Sequence, residues 1–401
     1  MAVFQPDQAK LEALHRRMDW YVEESFLPCC ETLILKDFEI VDRYRTGWLD
    51  LAEQTPLPDD AIYRMYSNTK LVTSLGLMML VEAGRIGLDD PVADYLPEFA
   101  DPKVLKPDAK AIDDVEPAQS QILVRQALSH TAGWSYGFIE PMSVIDAAYL
   151  AGGFNILTLE EMNLAELCQK LAEFPLAYQP GTRWRYSLAT DVCARLIEVV
   201  SGQSYDAYLA EQIFEPLGMV DTGFSVPEHK RDRFIAMYAP VDLLDPSKPG
   251  LTRNDDPQTG SYTRERRFKS GGGGLVSTVA DTLSFIRLLA NDGEWNGVRL
   301  ASPATLARMR TNECAPGVGV SFPMWDMPGT NFGLGFALKD SLTEGEPAAM
   351  LGEYHWGGMA GTHSWMAPRA GVIGLCLTQL MPGFWHPFSH DFKRAAYEIA
   401  A

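Results

Sequence analysis

The sequence is poor in positive charge: Lys and Arg number 34 against 53 Asp and Glu, a formal net charge of −19. A surface that acidic repels phosphate backbones and anionic lipid, so neither nucleic acid nor membrane is expected as a partner. No run of about 18 apolar residues exists to span a bilayer. The start, Met1-Ala2-Val3-Phe4-Gln5, lacks the basic and apolar segments of a signal peptide, and a cytoplasmic protein is expected. The six cysteines contain no Cys-x-x-Cys pair, and vicinal Cys29 and Cys30 are poorly placed to bridge, so free, mostly buried thiols are expected. There is no His-Glu-x-x-His, and His386 and His390 have no third ligand beside them. Gly271 to Gly274 fits neither phosphate-binding glycine spacing and reads as a flexible loop lining a cleft. No metal and no cofactor is therefore expected.

What is present is the balance of a globular protein, 46% hydrophobic and 22% charged over 401 residues. That length suits two or three units, or one composite domain, at about 150 residues each. Apolar residues at Leu11, Leu14, Met18, Val22 and Phe26 predict an amphipathic helix over 8–26. Residues 31–36 and 38–48 read as a β-hairpin. The stretch 67–84 is apolar all round, which predicts a central buried helix capped by Gly84. Further helices are expected over 122–130, 159–174, 189–201, 204–215, 278–291 and 389–400. Strands are expected over 333–339, 351–356, 362–367 and 372–379, and a long irregular excursion over 226–267. Strands thus gather at the two ends and helices in the middle. The expected fold is α+β: residues 1–80 and 265–401 build an antiparallel sheet flanked by helices, and 81–264 form a mainly helical domain.

The chemistry starts at Ser67-Asn68-Thr69-Lys70. An i, i+3 spacing on a helix puts the serine hydroxyl and the lysine amine on one face. Inside an apolar helix the ammonium loses solvation, its pKa falls, and the neutral amine can take the serine proton. The rival Gly133-Trp134-Ser135-Tyr136-Gly137 matches a Gly-x-Ser-x-Gly elbow, but that elbow needs a strand before it, and 122–130 reads as helical. Ser135 is read as part of a structural turn. Pro180 to Ser187 places Tyr186 just ahead of a helix, where a phenol near the Lys70 ammonium can relay protons. In His355-Trp356-Gly357-Gly358-Met359 the glycines let backbone approach a ligand, and the strand edge offers N–H groups to an oxyanion.

In order along the chain, these residues resemble the serine β-lactamase-like hydrolases: class C β-lactamases, D-Ala-D-Ala carboxypeptidases and, most of all, family VIII carboxylesterases. The segments 80–92, 128–133, 180–182, 213–219 and 272–278 look like further signatures of the same group, so the likeness covers most of the chain. The resemblance implies an active site in the cleft between sheet domain and helical domain. It implies Ser67 as acylated nucleophile, Lys70 as its base and Tyr186 as proton relay. The oxyanion hole it implies is formed by the backbone N–H groups of Ser67 and Met359. Tyr66, His355, Trp356, Gly357 and Gly358 are the expected substrate-binding residues.

Two departures bear on substrate. The asparagine of the family's Tyr-x-Asn is replaced in Tyr186-Ser187-Leu188, and its Lys-Thr-Gly by Trp356-Gly357-Gly358, which removes the cation that faces a β-lactam carboxylate. The Trp-Gly-Gly form looks like the family VIII esterases. The expectation is a serine esterase acting on small short-chain acyl esters. Weak β-lactamase activity, acyl transfer to an alcohol, and a catalytically silent penicillin-binding-like module are the alternatives, and oligomeric state is left open.

Overall fold

A computed structural model describes residues 4–155, 159, 161–243, 245, 248–323, 325–384 and 386–401. Its main sheet has eight antiparallel strands: β1 (Cys29–Lys36), β2 (Glu39–Asp50), β3 (Thr55–Pro56), β4 (Thr330–Phe332), β5 (Ala337–Lys339), β6 (Tyr354–Gly358), β7 (Thr362–Ala367) and β8 (Val372–Leu377). The spatial order is β4-β5-β6-β7-β8-β1-β2-β3. The two ends of the chain meet where β1 pairs with β8, from Glu31 opposite Leu377 to Lys36 opposite Val372. The β1–β2 hairpin turns on Asp37 and Phe38, both at positive φ (48° and 71°), the backbone that a two-residue hairpin requires.

Every residue of β1 except Lys36 is buried, because both faces of the sheet are covered. On one face lie helices α1 (Gln8–Glu23) and, at the C-terminus, Pro387–Ala400, meeting Ile34 and Trp365 through Leu14, Met18, Phe388 and Phe392. On the other face α2 (Thr69–Glu82) is buried nearly all round and packs on α3 (Ala189–Ser201). Gly76 makes that approach close: a Cβ there would sit 3.3 Å from Leu209 and 3.4 Å from Ile197. Gly84, at φ 69°, terminates α2, with Arg85 N–H returning to the Leu80 carbonyl at 3.0 Å. Val279–Ala290 is α4, and the C-terminal helix Pro387–Ala400 is α5.

Several expected elements differ. Of the strand expected over 333–339 only Ala337–Lys339 (β5) forms, and the chain before it turns back from β4, since Gly333 passes so close to the Met309 carbonyl that a Cβ would lie 2.2 Å from it, and Gly335 turns at φ 98°. The strand expected over 351–356 starts later, at Tyr354, and runs on into the glycines. The helix expected over 122–130 is a single short piece, Val124–Leu128. Part of the one expected over 159–174 lies outside the described residues, and what is described is Leu164–Leu171. The 226–267 excursion contains a hairpin of Met237–Pro240 with Leu251–Asp255, and its residues 244, 246 and 247 lie outside the described residues. Among the described residues no helix is long and apolar enough to cross a membrane.

Candidate active site

Tyr66-Ser67-Asn68 forms a tight turn that opens directly into α2. Tyr66 adopts φ 44°, a left-handed backbone that costs energy for a tyrosine and has to be held in place by its surroundings. The hold comes from β7: Asn68 Nδ2 donates to the Thr362 carbonyl at 2.7 Å and Thr362 Oγ1 to the Met65 carbonyl at 2.9 Å. Ser364 Oγ adds a bond to Asn68 Oδ1 at 2.8 Å.

Lys70, 1% exposed, places Nζ 3.3 Å from Ser67 Oγ, 2.8 Å from the Tyr136 hydroxyl and 2.6 Å from the Gly272 carbonyl. Burial lowers its pKa to about 7, with the negative charge of Asp191 acting the other way. A neutral amine has two hydrogens and one lone pair, and these contacts match that inventory: hydrogens for Gly272 and Tyr136, the lone pair for the Ser67 O–H. Among the described residues no carboxylate lies within ion-pair distance of Lys70.

The expected tyrosine is there, in a different relation to the lysine. Lys70 Nζ stands 4.6 Å over the centre of the Tyr186 ring, and the Tyr186 hydroxyl accepts from Trp356 Nε1 at 3.2 Å. Burial pushes the Tyr186 phenol up, against its hydrogen bonds with Ser67 and Trp356, and pushes Tyr136 up as well. Both phenols are therefore protonated and able to donate. Tyr136 is the site residue that sequence reasoning passed over; it sits inside the Gly133 to Gly137 turn. The neighbouring Ser135 is buried in a different network, donating to Asp146 and accepting from Arg185 Nε at 2.8 Å, with no strand ahead of it.

β6 reaches the nucleophile through its glycines. A Cβ at Gly358 would lie 2.3 Å from the Met65 carbonyl, so this strand end rests on the turn leading to Ser67, with Met359 next in the chain. Trp356 points the same way and packs on Tyr186, ring centres 5.2 Å apart. A Cβ at Gly357 would be 2.4 Å from His363 Nδ1. His355 is a correction: alternation along β6 turns it to the opposite face, where its Nδ1 lies 2.8 Å from Glu353 Oε1, so it does not join Ser67. Tyr66 faces the charges of Arg64, Asp255 and Arg266 near Tyr262. The glycine loop is also corrected. Gly271 and Gly272 are buried and tightly fitted, a Cβ at Gly271 meeting the Thr190 carbonyl at 2.6 Å, so these glycines serve close packing and not flexibility. His386 caps α5, accepting from Phe388 N–H at 3.3 Å. Among the described residues no cluster of three His, Cys, Asp or Glu is placed to hold a metal ion.

This arrangement of serine, buried amine and phenols can be set beside known proteins. A family model described as Beta-lactamase matches residues 21–397. The chain belongs to the beta-lactamase family. Esterase EstB of Burkholderia gladioli is 32% identical over 410 residues, covering 98% of this chain and 97% of that one. Acyltransferase calJ of Penicillium decumbens is 30% identical over 356 residues, 82% of this chain and 78% of its own. Among solved structures EstCE1, described as a hydrolase with promiscuous acyltransferase activity, superposes with a TM-score of 0.82 at 24% identity, over 97% of this chain and 99% of that one. The fold is the beta-lactamase-like α+β fold, and the protein is a serine hydrolase of this family related to esterases and acyltransferases.

Proposed function

We propose that the protein is a carboxylesterase that cleaves short-chain acyl esters through a covalent acyl-enzyme on Ser67. The observation that carries this reading is the Lys70 amine, buried without a carboxylate partner and set 3.3 Å from Ser67 Oγ. Trp356, where a cation would face a β-lactam carboxylate, supports uncharged esters as substrates.

Ser67 Oγ attacks the ester carbonyl carbon as its proton passes to Lys70 Nζ. The π electrons move onto the carbonyl oxygen, which the Ser67 and Met359 N–H groups receive. Collapse re-forms the carbonyl and breaks the bond to the alcohol oxygen, which takes the proton back from Lys70 by way of the Tyr186 hydroxyl. Water then attacks the acyl carbon, giving a proton to the Tyr186–Lys70 pair. The second collapse breaks the bond to Oγ, returns the proton to Ser67 and releases the acid. The likeness to a named acyltransferase supports a second use of the same intermediate, with an alcohol in place of that water.

Intact-protein mass spectrometry with peptide mapping tests the reading, after brief exposure to a p-nitrophenyl short-chain ester and, separately, to a cephalosporin. A transient acyl adduct on Ser67 from the ester, with little from the cephalosporin, is the expected result. A long-lived cephalosporin adduct with slow ester turnover would favour the β-lactamase or binding-protein alternatives. Failure of both the ester and a fluorophosphonate to label Ser67 would favour a silent module.

A further inference from the structure

The chemistry above leaves one buried carboxylate beside Lys70 without a role. Asp191 lies in the first turn of α3 and is 1% exposed. Its Oδ1 accepts from Ser270 Oγ at 2.7 Å and from the Gly272 N–H at 3.1 Å. The same Gly272 presents its carbonyl to Lys70 Nζ at 2.6 Å. One residue therefore joins the carboxylate to the amine, by its N–H on one side and its C=O on the other. A Cβ on Gly272 would stand 2.7 Å from the Tyr136 hydroxyl, 2.8 Å from Asp191 Oδ2 and 3.2 Å from Lys70 Nζ, so the three groups converge on a single α-carbon.

We propose that Asp191 is a positioning residue of this site: through Gly272 it holds the carbonyl against which Lys70 is set, and its charge fixes the pH at which that amine becomes a base. The proposal rests on the reading of Lys70 as the base of Ser67. The other titratable groups facing Lys70 are neutral near pH 7: burial pushes the Tyr136 and Tyr186 phenols up and the His130 imidazole down. Tyr205 and Cys193, which also face Asp191, are pushed up by burial too. Burial raises the Asp191 carboxyl, and the Lys70 charge with the Ser270 and Gly272 donors opposes that rise. An anion near a buried ammonium favours the protonated amine, so removing it lowers the pH at which Lys70 gives up its proton.

Asp191→Asn retains an acceptor oxygen for Ser270 and Gly272 while deleting the charge. The measurement is kcat/KM for a short-chain p-nitrophenyl ester against pH. The acid limb is expected to move down by about one pH unit, with the plateau reduced less than about tenfold. A limb that stays in place or rises overturns the proposal, because a purely structural role would lower the plateau alone. Lys70→Ala, assayed alongside, separates the two readings: substantial remaining activity would fail Lys70 as base, whatever Asp191 does. If Asp191→Asn does not fold, Ser270→Ala removes one donor from Oδ1 at a partly exposed position. It is expected to lower kcat about threefold to tenfold at unchanged KM, and wild-type kcat in that variant would overturn the positioning role.

Discussion

Lys70 and Lys393 are held by opposite arrangements on the two faces of one sheet. Lys393, on α5, pairs with the fully buried Glu353, which also lies 2.5 Å from the Tyr397 hydroxyl and 2.8 Å from His355 Nδ1. Burial would raise the Glu353 carboxyl, but the Lys393 charge, with His355 close beside it, overcomes this and brings it down to about 2. Lys70 meets a carbonyl, a phenol and a serine instead, and burial takes it to about 7. Closing a buried ion pair locks the charge and ties it to stability, whereas leaving the lysine among neutral partners keeps its proton exchangeable near neutral pH.

Substitutions can break that contrast. Lys70→Ala is expected to lower kcat/KM for a short-chain p-nitrophenyl ester by about 10⁴, with no fall in thermal midpoint, since a buried lysine that makes no direct ion pair does not stabilise the fold. A loss smaller than about tenfold would show that the amine is not the base. At the paired lysine the effect moves from rate to stability: Glu353→Gln is expected to cost about 3 kcal/mol in urea unfolding while kcat stays within about twofold. Its pH signature has a definite sign. Because the folded-state pKa lies below the unfolded value of about 4.3, the stabilisation is present above that pH and is lost as pH falls toward 2. The acid loss of stability in this window should be smaller in Glu353→Gln than in the wild type.

Smaller effects sharpen the picture around Lys70. Tyr136→Phe is expected to reduce kcat about tenfold and Tyr186→Phe by more, as steady-state kinetics at one pH will read. The reverse order would move the proton relay to Tyr136. Ser135→Ala should leave kcat within about twofold and cost about 1–2 kcal/mol of stability, through the Asp146–Arg185 network it leaves. Loss of activity in that variant alone would relocate the nucleophile.

The parts of this site carried by local spacing were legible in the sequence. Ser67 and Lys70 are three residues apart where a turn opens into α2, and the apolar run that follows already marks the lysine as buried. The sheet built from both chain ends was legible in the strand patterns flanking a helical middle. Tyr136 and Asp191 were not, because their place depends on the approach of a glycine loop more than 80 residues further along, and a tyrosine in a glycine turn carries no periodic signal. His355 was misplaced although alternation bore on it: with Trp356 turned inward, its strand neighbour has to face out. The turn between β4 and β5 depends on the Met309 carbonyl, which local pattern does not reveal.

The most direct test is a titration of Lys70 itself, by NMR of enzyme labelled at lysine Nζ, with the Lys70→Arg variant assigning the resonance. A midpoint near 7, with the acid limb of ester hydrolysis at the same pH, is the expected result. A midpoint above about 9, with an unchanged acid limb, would mean that Lys70 stays protonated through the working range and that another group deprotonates Ser67.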